Sequence, residues 1–135
     1  LFRSRFYPER EVEIGETGKI YTNDFWGANL SLYPIGNIDW EINLVRGQKE
    51  PELQGWWSEK NTEWVPNPCA VYEGNITGDE TFGWIMIPSE SGSAPVLTET
   101  ELNVENNSAI IKFTLSEGEQ ILLEIPIKKG LPKIN

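Results

Sequence analysis

Between Ile38 and Leu44 the chain changes character at every step: Ile38-Asp39-Trp40-Glu41-Ile42-Asn43-Leu44. In an extended strand a period of two puts the four apolar side chains on one face and the three polar ones on the other. A helix would scatter the same residues around its axis. Apolar residues return at every second position elsewhere too, in short runs that stop at Gly, Pro or Asn-Asp, while the 3.6-residue period of a helix is missing almost everywhere. Besides 38–44, the pattern predicts strands over about 1–7, 10–14, 18–22, 28–33, 52–58, 69–74, 81–87, 94–104, 108–115 and 119–127. About ten short strands and no substantial helix predict an all-β fold, an antiparallel two-layer β-sandwich of jelly-roll type. Ser116-Glu117-Gly118-Glu119 predicts a hairpin turn, with Gly118 free to take positive φ. Asn75-Ile76-Thr77-Gly78-Asp79-Glu80 also reads as a connection between strands, and 89–95 as a surface loop.

The whole chain, 135 residues, is the length of one domain, so 1–135 is expected to form a single sandwich. Six Trp, five Phe and four Tyr supply a core without staples. Eleven basic against twenty-one acidic residues leave a net charge of −10, which opposes binding to nucleic acid or to an anionic membrane surface. No run approaches the roughly eighteen apolar residues of a membrane-spanning helix. The absence of histidine removes Ser-His-Asp and Cys-His triads, His-ligated zinc and imidazole proton transfer. A single cysteine, Cys69, permits neither an internal disulfide nor a Cys-based zinc site. No cofactor and no metal are expected. The chain starts at Leu1 with an alternating segment in place of a signal peptide, and is read as a piece of a longer protein.

Aromatic residues concentrate from Trp40 to Trp84. Trp40 and Trp84 share the apolar phase of their strands and are expected in the core, whereas the adjacent Trp56 and Trp57 cannot both point inward. An exposed ring can stack on a sugar or pack against another domain, which makes Trp57 and Trp64 candidate carbohydrate contacts. Basic residues collect at the two chain ends, and if the terminal strands lie side by side, Arg3, Arg5, Lys128 and Lys129 form a strip able to face an anionic polysaccharide. The acidic residues carry less. Glu99 and Glu101, like Glu9, Glu11 and Glu13, alternate as on a wet strand face, and no catalytic carboxylate pair follows from their spacing. Asp79 and Glu80 lack the spacing of a calcium loop. Sequons at Asn29, Asn75 and Asn106 matter only in a glycosylating compartment.

The run Gly55-Trp56-Trp57-Ser58-Glu59-Lys60-Asn61-Thr62-Glu63-Trp64-Val65-Pro66-Asn67-Pro68, followed by Val71-Tyr72-Glu73 and Gly83-Trp84-Ile85-Met86-Ile87-Pro88, resembles the C-terminal β-sheet region of heparinase II/III-like polysaccharide lyases. Phe2-to-Pro8 and Asn29-Leu30-Ser31-Leu32-Tyr33-Pro34 are compatible with strands of the same region, so the resemblance covers most of 1–90. Asn61-Thr62 stands where the family has Tyr-Gly. Such lyases use Asn, Tyr and His, mostly from an N-terminal α/α-toroid, to neutralise a uronate and remove its C5 proton. None of those residues maps onto this chain, so no catalytic residue is carried over.

The resemblance implies a non-catalytic C-terminal sandwich whose partner is the parent's toroid domain and which helps form an acidic-polysaccharide cleft, in a secreted or periplasmic protein. Read from the residues alone, two alternatives stand beside it: a free-standing carbohydrate-binding module that uses exposed aromatics, and a structural sandwich with no ligand.

Overall fold

The computed structural model describes residues 2–6, 10–90, 92 and 96–127. It contains twelve strands among these residues: β1 (Phe2–Arg5), β2 (Val12–Ile14), β3 (Ile20–Thr22), β4 (Asn29–Gly36), β5 (Glu41–Val45), β6 (Trp56–Lys60), β7 (Glu63–Pro66), β8 (Cys69–Glu73), β9 (Phe82–Ser89), β10 (Leu97–Glu105), β11 (Ser108–Leu115) and β12 (Gln120–Pro126). A single 3-10 turn, Glu16–Gly18, is the only helical element described. Every strand pair is antiparallel. The antiparallel all-β sandwich predicted by the alternation is what forms, with sheets on both faces of a central one where two layers were expected.

Its layering follows from β4. Leu32 joins a first core with Phe6, Ile20, Ala70 and Tyr72. Tyr33 and Ile35 join a second core with Leu97, Ile111 and Phe113. Adjacent strand residues point to opposite faces, so both faces of the central sheet, ordered β2-β3-β4-β9, are covered. The sheet β1-β8-β5 lies on one side and β10-β11-β12 on the other. A strand covered on both faces is apolar in both phases, which is why β4 carries apolar residues in both phases from Leu30 to Ile35. The Tyr33 hydroxyl accepts the Leu97 N–H at 3.2 Å and ties the second outer sheet to β4. Pro34 lies beyond the last β3 partner of β4, a position where a missing N–H is tolerated.

Three expectations change. The strand expected over 38–44 begins at Glu41, and Ile38–Trp40 is irregular. Trp40 instead turns over the end of the sheets, where its ring meets Tyr72, Phe82 and Trp84 at centroid distances of 5.4 to 6.2 Å. Second, residues 52–55 are not strand; the extended pair is β6 with β7, the latter absent from the expected elements. Asn61 and Thr62 form its tip, with Thr62 at φ 84°. Third, Trp40 and Trp84 pack against the first core while remaining half-buried. Met86, in the same phase, is 65% exposed although its cross-strand partner Leu32 is only 1% exposed. The outer sheet covers β4 and stops short of the edge strand β9.

The connections follow local chemistry. The expected 116–119 turn is present, with the Leu115 N–H on Glu119 O at 2.9 Å and the Gly118 N–H on Leu115 O at 2.8 Å. Asn106 and Asn107, at φ 51° and 64°, close the β10–β11 hairpin, a conformation that asparagine tolerates. The segment 75–80 crosses from β8 in an outer sheet to β9 in the central one. Within the expected 89–95 loop, residues 91 and 93–95 lie outside the described residues. The β6–β7 hairpin is held at its base by Gly55, whose carbonyl accepts the N–H groups of Gly47 and Asn67 at 2.8 and 2.7 Å. Gly55 has φ 69°, and a Cβ there would meet three backbone atoms at 2.9 Å, so only glycine fits. No helix among the described residues is long and apolar enough to cross a membrane.

Candidate functional site

Trp57 and Trp64 sit on the β6–β7 hairpin, 39% and 60% exposed. Trp57 is the cross-strand partner of Val65, so those two share a face. Trp64, next to Val65 in β7, projects from the other face. The hairpin therefore does not present the two rings as one platform. Arg3 and Arg5 lie in β1, opposite Val71 and Cys69 of β8. Lys128 and Lys129 lie outside the described residues. The last described strand, β12, belongs to the sheet on the far side of the central one from β1. The first and last described strands, β1 and β12, thus belong to different sheets.

Other residues come together at the two ends of the central sheet. At the end where Gly36 faces Phe82, an open hollow is lined by Asp39, Trp40, Glu41, Glu73, Gly74 and Asn75. Glu41 and Glu73 are direct cross-strand partners. Like charges so placed repel, and among the described residues no basic side chain lines the hollow. No group of three or more His, Cys, Asp or Glu suited to a metal ion occurs among the described residues. Below this hollow the Tyr72 hydroxyl donates to Gly18 O at 3.3 Å, and burial pushes its phenol well above the usual tyrosine range.

At the opposite end, residues 23–28 connect β3 to β4 in a turn built around Asn29. The buried Asn29 amide accepts from Asp24 N–H at 2.7 Å and Thr22 Oγ1 at 3.0 Å. It donates to Asp24 O at 2.8 Å and Gly92 O at 2.6 Å. The Asp24 carboxylate then accepts the N–H groups of Trp26 and Gly27 at 3.0 and 3.1 Å, and pairs with Arg10. With its backbone tied at so many points, the turn holds two large rings outward. Phe25 is 74% exposed and Trp26 88%, packed edge to face with centroids 4.7 Å apart.

Beside this turn, a shallow groove runs between β2 and β5, lined by Arg10, Glu11, Glu13, Leu44, Arg46 and Pro68 among others. Glu13 of this lining accepts two hydrogen bonds: Tyr21 Oη donates to Oε2 at 2.8 Å, which raises the tyrosine pKa, and Asn23 Nδ2 donates to Oε1 at 3.3 Å. A third hollow, on the β10-β11-β12 sheet, is lined in part by Glu101, Lys112 and Leu122. There the Asn103 amide and then Lys112 hold the Glu101 carboxyl below its usual range.

Sequence reasoning passed over Phe25 and Trp26. The available signal was Asn23-Asp24-Phe25-Trp26-Gly27, two aromatics inside turn chemistry, where no strand phase exists to bury them.

No family model matches the sequence, and no curated protein does. Among solved structures, the chain is similar to the crystal structure of a heparan sulfate lyase HepC mutant from Pedobacter heparinus, at a TM-score of 0.72 and 14% sequence identity. The match covers 96% of this chain and 20% of that one, so the chain spans about a fifth of the length of the protein it matches. At that identity the likeness is one of fold: a distant structural relation to a β-domain of a polysaccharide lyase.

Proposed function

We propose that this chain is a non-catalytic β-sandwich of a heparinase II/III-like polysaccharide lyase, packing on a toroid domain of its parent and walling an acidic-polysaccharide cleft. The observation that carries the reading is the fold match across 96% of the chain to one fifth of a heparan sulfate lyase, together with the motif resemblance at 55–88. The chemistry agrees. The chain has no histidine and a net charge of −10, so proton abstraction and uronate neutralisation fall to the other domain, and the sandwich contributes shape and apolar contact. The β6–β7 hairpin supports a packing role. A two-stranded hairpin is marginal alone, and this one carries Trp57, Trp64 and Val65 exposed, with Leu53 exposed in the loop before it.

The test is the parent reading frame. A helical toroid domain carrying Asn, Tyr and His, with lyase activity that falls when the sandwich is deleted, is the expected result. A parent without such a domain overturns the reading and leaves a free-standing carbohydrate-binding module or a structural sandwich.

A further inference from the structure

We propose that β12 is a dimerisation edge: two copies of this chain join their β10-β11-β12 sheets by antiparallel pairing of β12 with the β12 of the second copy, about a two-fold axis at Leu122. This pairing does not depend on the cleft-wall role.

Three observations carry it. The first is an open hydrogen-bond ladder. Among the described residues β12 pairs with β11 alone and forms an edge of its sheet. Along an antiparallel ladder, hydrogen-bonded pairs alternate with pairs that are not. The Leu115 N–H donates to Glu119 O at 2.9 Å and the Ile127 N–H to Asn107 O at 2.6 Å, which fixes the phase of everything between them. Ile121, Leu123 and Ile125 bond to β11, and the backbone groups of Gln120, Leu122, Glu124 and Pro126 face away from it. Pro126 has no N–H and stands where β11 needs none. An edge of unpaired donors and acceptors recognises another strand. The second observation is composition. Leu122, Leu123 and Ile125 are 65%, 43% and 49% exposed, and Glu124 is the only charged residue of the strand. The opposite edge of the same sheet, β10, carries Glu99, Glu101 and Glu105, charges of the kind that deter pairing.

The third is self-complementarity, which selects a second copy as the occupant. A two-fold axis normal to the sheet sets residues of one face opposite residues of the same face. With Leu122 opposite the partner's Leu122, Gln120 falls opposite the partner's Glu124, an amide donor against a carboxylate, and Ile121 opposite the partner's Leu123. The outward backbone groups of Gln120, Leu122 and Glu124 then satisfy those of the partner, and Pro126 lies past the paired stretch. Neighbouring registers lose this match. An axis at Leu123 sets Gln120 opposite the partner's Pro126, which has no N–H to give, and an axis at Glu124 sets the two Glu124 carboxylates against each other. One pair of short strands buries less than the roughly 1,200 Å² at which standard interfaces begin, so the dimer is a weak one.

Sedimentation equilibrium of the full chain, from about 1 μM to about 1 mM, is the experiment. A monomer–dimer equilibrium with a dissociation constant in the micromolar range is expected. Leu122→Lys and Leu122→Glu each set like charges against one another at the axis and should weaken it about tenfold or more. An equimolar mixture of the two variants should restore the dimer, because lysine then meets glutamate. Leu122 is exposed, so both variants should keep the far-UV circular dichroism of the parent chain. Mild oxidation of Leu122→Cys should link two copies, since Cα atoms of a hydrogen-bonded pair lie about 5.5 Å apart, within disulfide reach; Glu101→Cys on the opposite edge should stay unlinked. A chain that is monomeric at about 1 mM overturns the proposal and leaves the edge to a strand of another protein. A dimer unmoved by either charge variant, or a mixture that stays monomeric, overturns it by placing the contact elsewhere.

Discussion

Leu32 and Met86 are direct cross-strand partners on the same face of the central sheet, yet one is sealed and the other open. Truncating each to alanine tests where the outer sheet ends. Leu32 is 1% exposed and belongs to the first core with Ile20, Ala70 and Tyr72. Losing its buried methyls forfeits their transfer free energy, and neighbours on both strands restrict collapse of the cavity. Leu32→Ala is expected to cost about 3–5 kcal/mol, the upper part of the range for such changes. About a third of Met86 is covered. A third of the roughly 1.5–3 kcal/mol for full burial gives about 0.5–1 kcal/mol for Met86→Ala, with no enclosed cavity to add. The expected gap is about 2–4 kcal/mol, a large fraction of a domain's total stability. Urea unfolding followed by far-UV circular dichroism measures it, with an unchanged m value as the check that only stability moved. Costs equal to within about 1 kcal/mol would refute the argument, because they would place β9 under the outer sheet and make Met86 a core residue.

Trp84→Ala is expected to cost about 2–4 kcal/mol in the same assay, since a half-buried ring leaves contacts with Trp40, Tyr72 and Phe82; a loss under about 1 kcal/mol would show that the aromatic cluster holds nothing together. Burial raises the folded-state pKa of Tyr72 above its unfolded value of about 10. The stabilisation tied to its proton is therefore fully present below about pH 10 and lost as the pH rises from there toward the folded value, at about 1.4 kcal/mol per pH unit. Unfolding from pH 8 to 11.5 should show that fall, and Tyr72→Phe should lessen it; an identical pH profile would exclude Tyr72 as its source. Asn29→Ala removes side-chain hydrogen bonds to Thr22, Asp24, Gly27 and Gly92 and is expected to cost about 2–4 kcal/mol, while Trp26→Ala stays within about 0.5 kcal/mol. Equal thermal shifts for the two would mean that the Trp26 ring supports the turn. Incubated with heparan sulfate, the chain alone is expected to release no unsaturated uronate; appearance of its ultraviolet absorbance would place lyase chemistry on this domain.

The strands were legible because alternation is a local property: a side chain's face depends only on its position along its own strand. Most expected elements recur within a few residues, and the Ser116–Glu119 hairpin forms where glycine permits its turn. The excluded chemistries also came from the sequence, since no fold restores a missing histidine. What alternation cannot report is which sheet lies over a given face. The apolar residues in both phases of β4 reflect two cores on opposite sides of one sheet, visible only once β10-β11-β12 is in place. Trp40 has the strand phase of a core residue, but its ring is held at the sheet's end by aromatic partners from β8 and β9. Pairing register separates Trp57 from Trp64, and sheet membership separates β1 from β12. The exposed pair Phe25 and Trp26 emerged the same way. Their aromatic character is in the sequence, but their outward setting is made by Asn29 and Asp24, with Gly92 and Arg10 brought in from distant parts of the chain, and contacts of that range exist only in the folded protein.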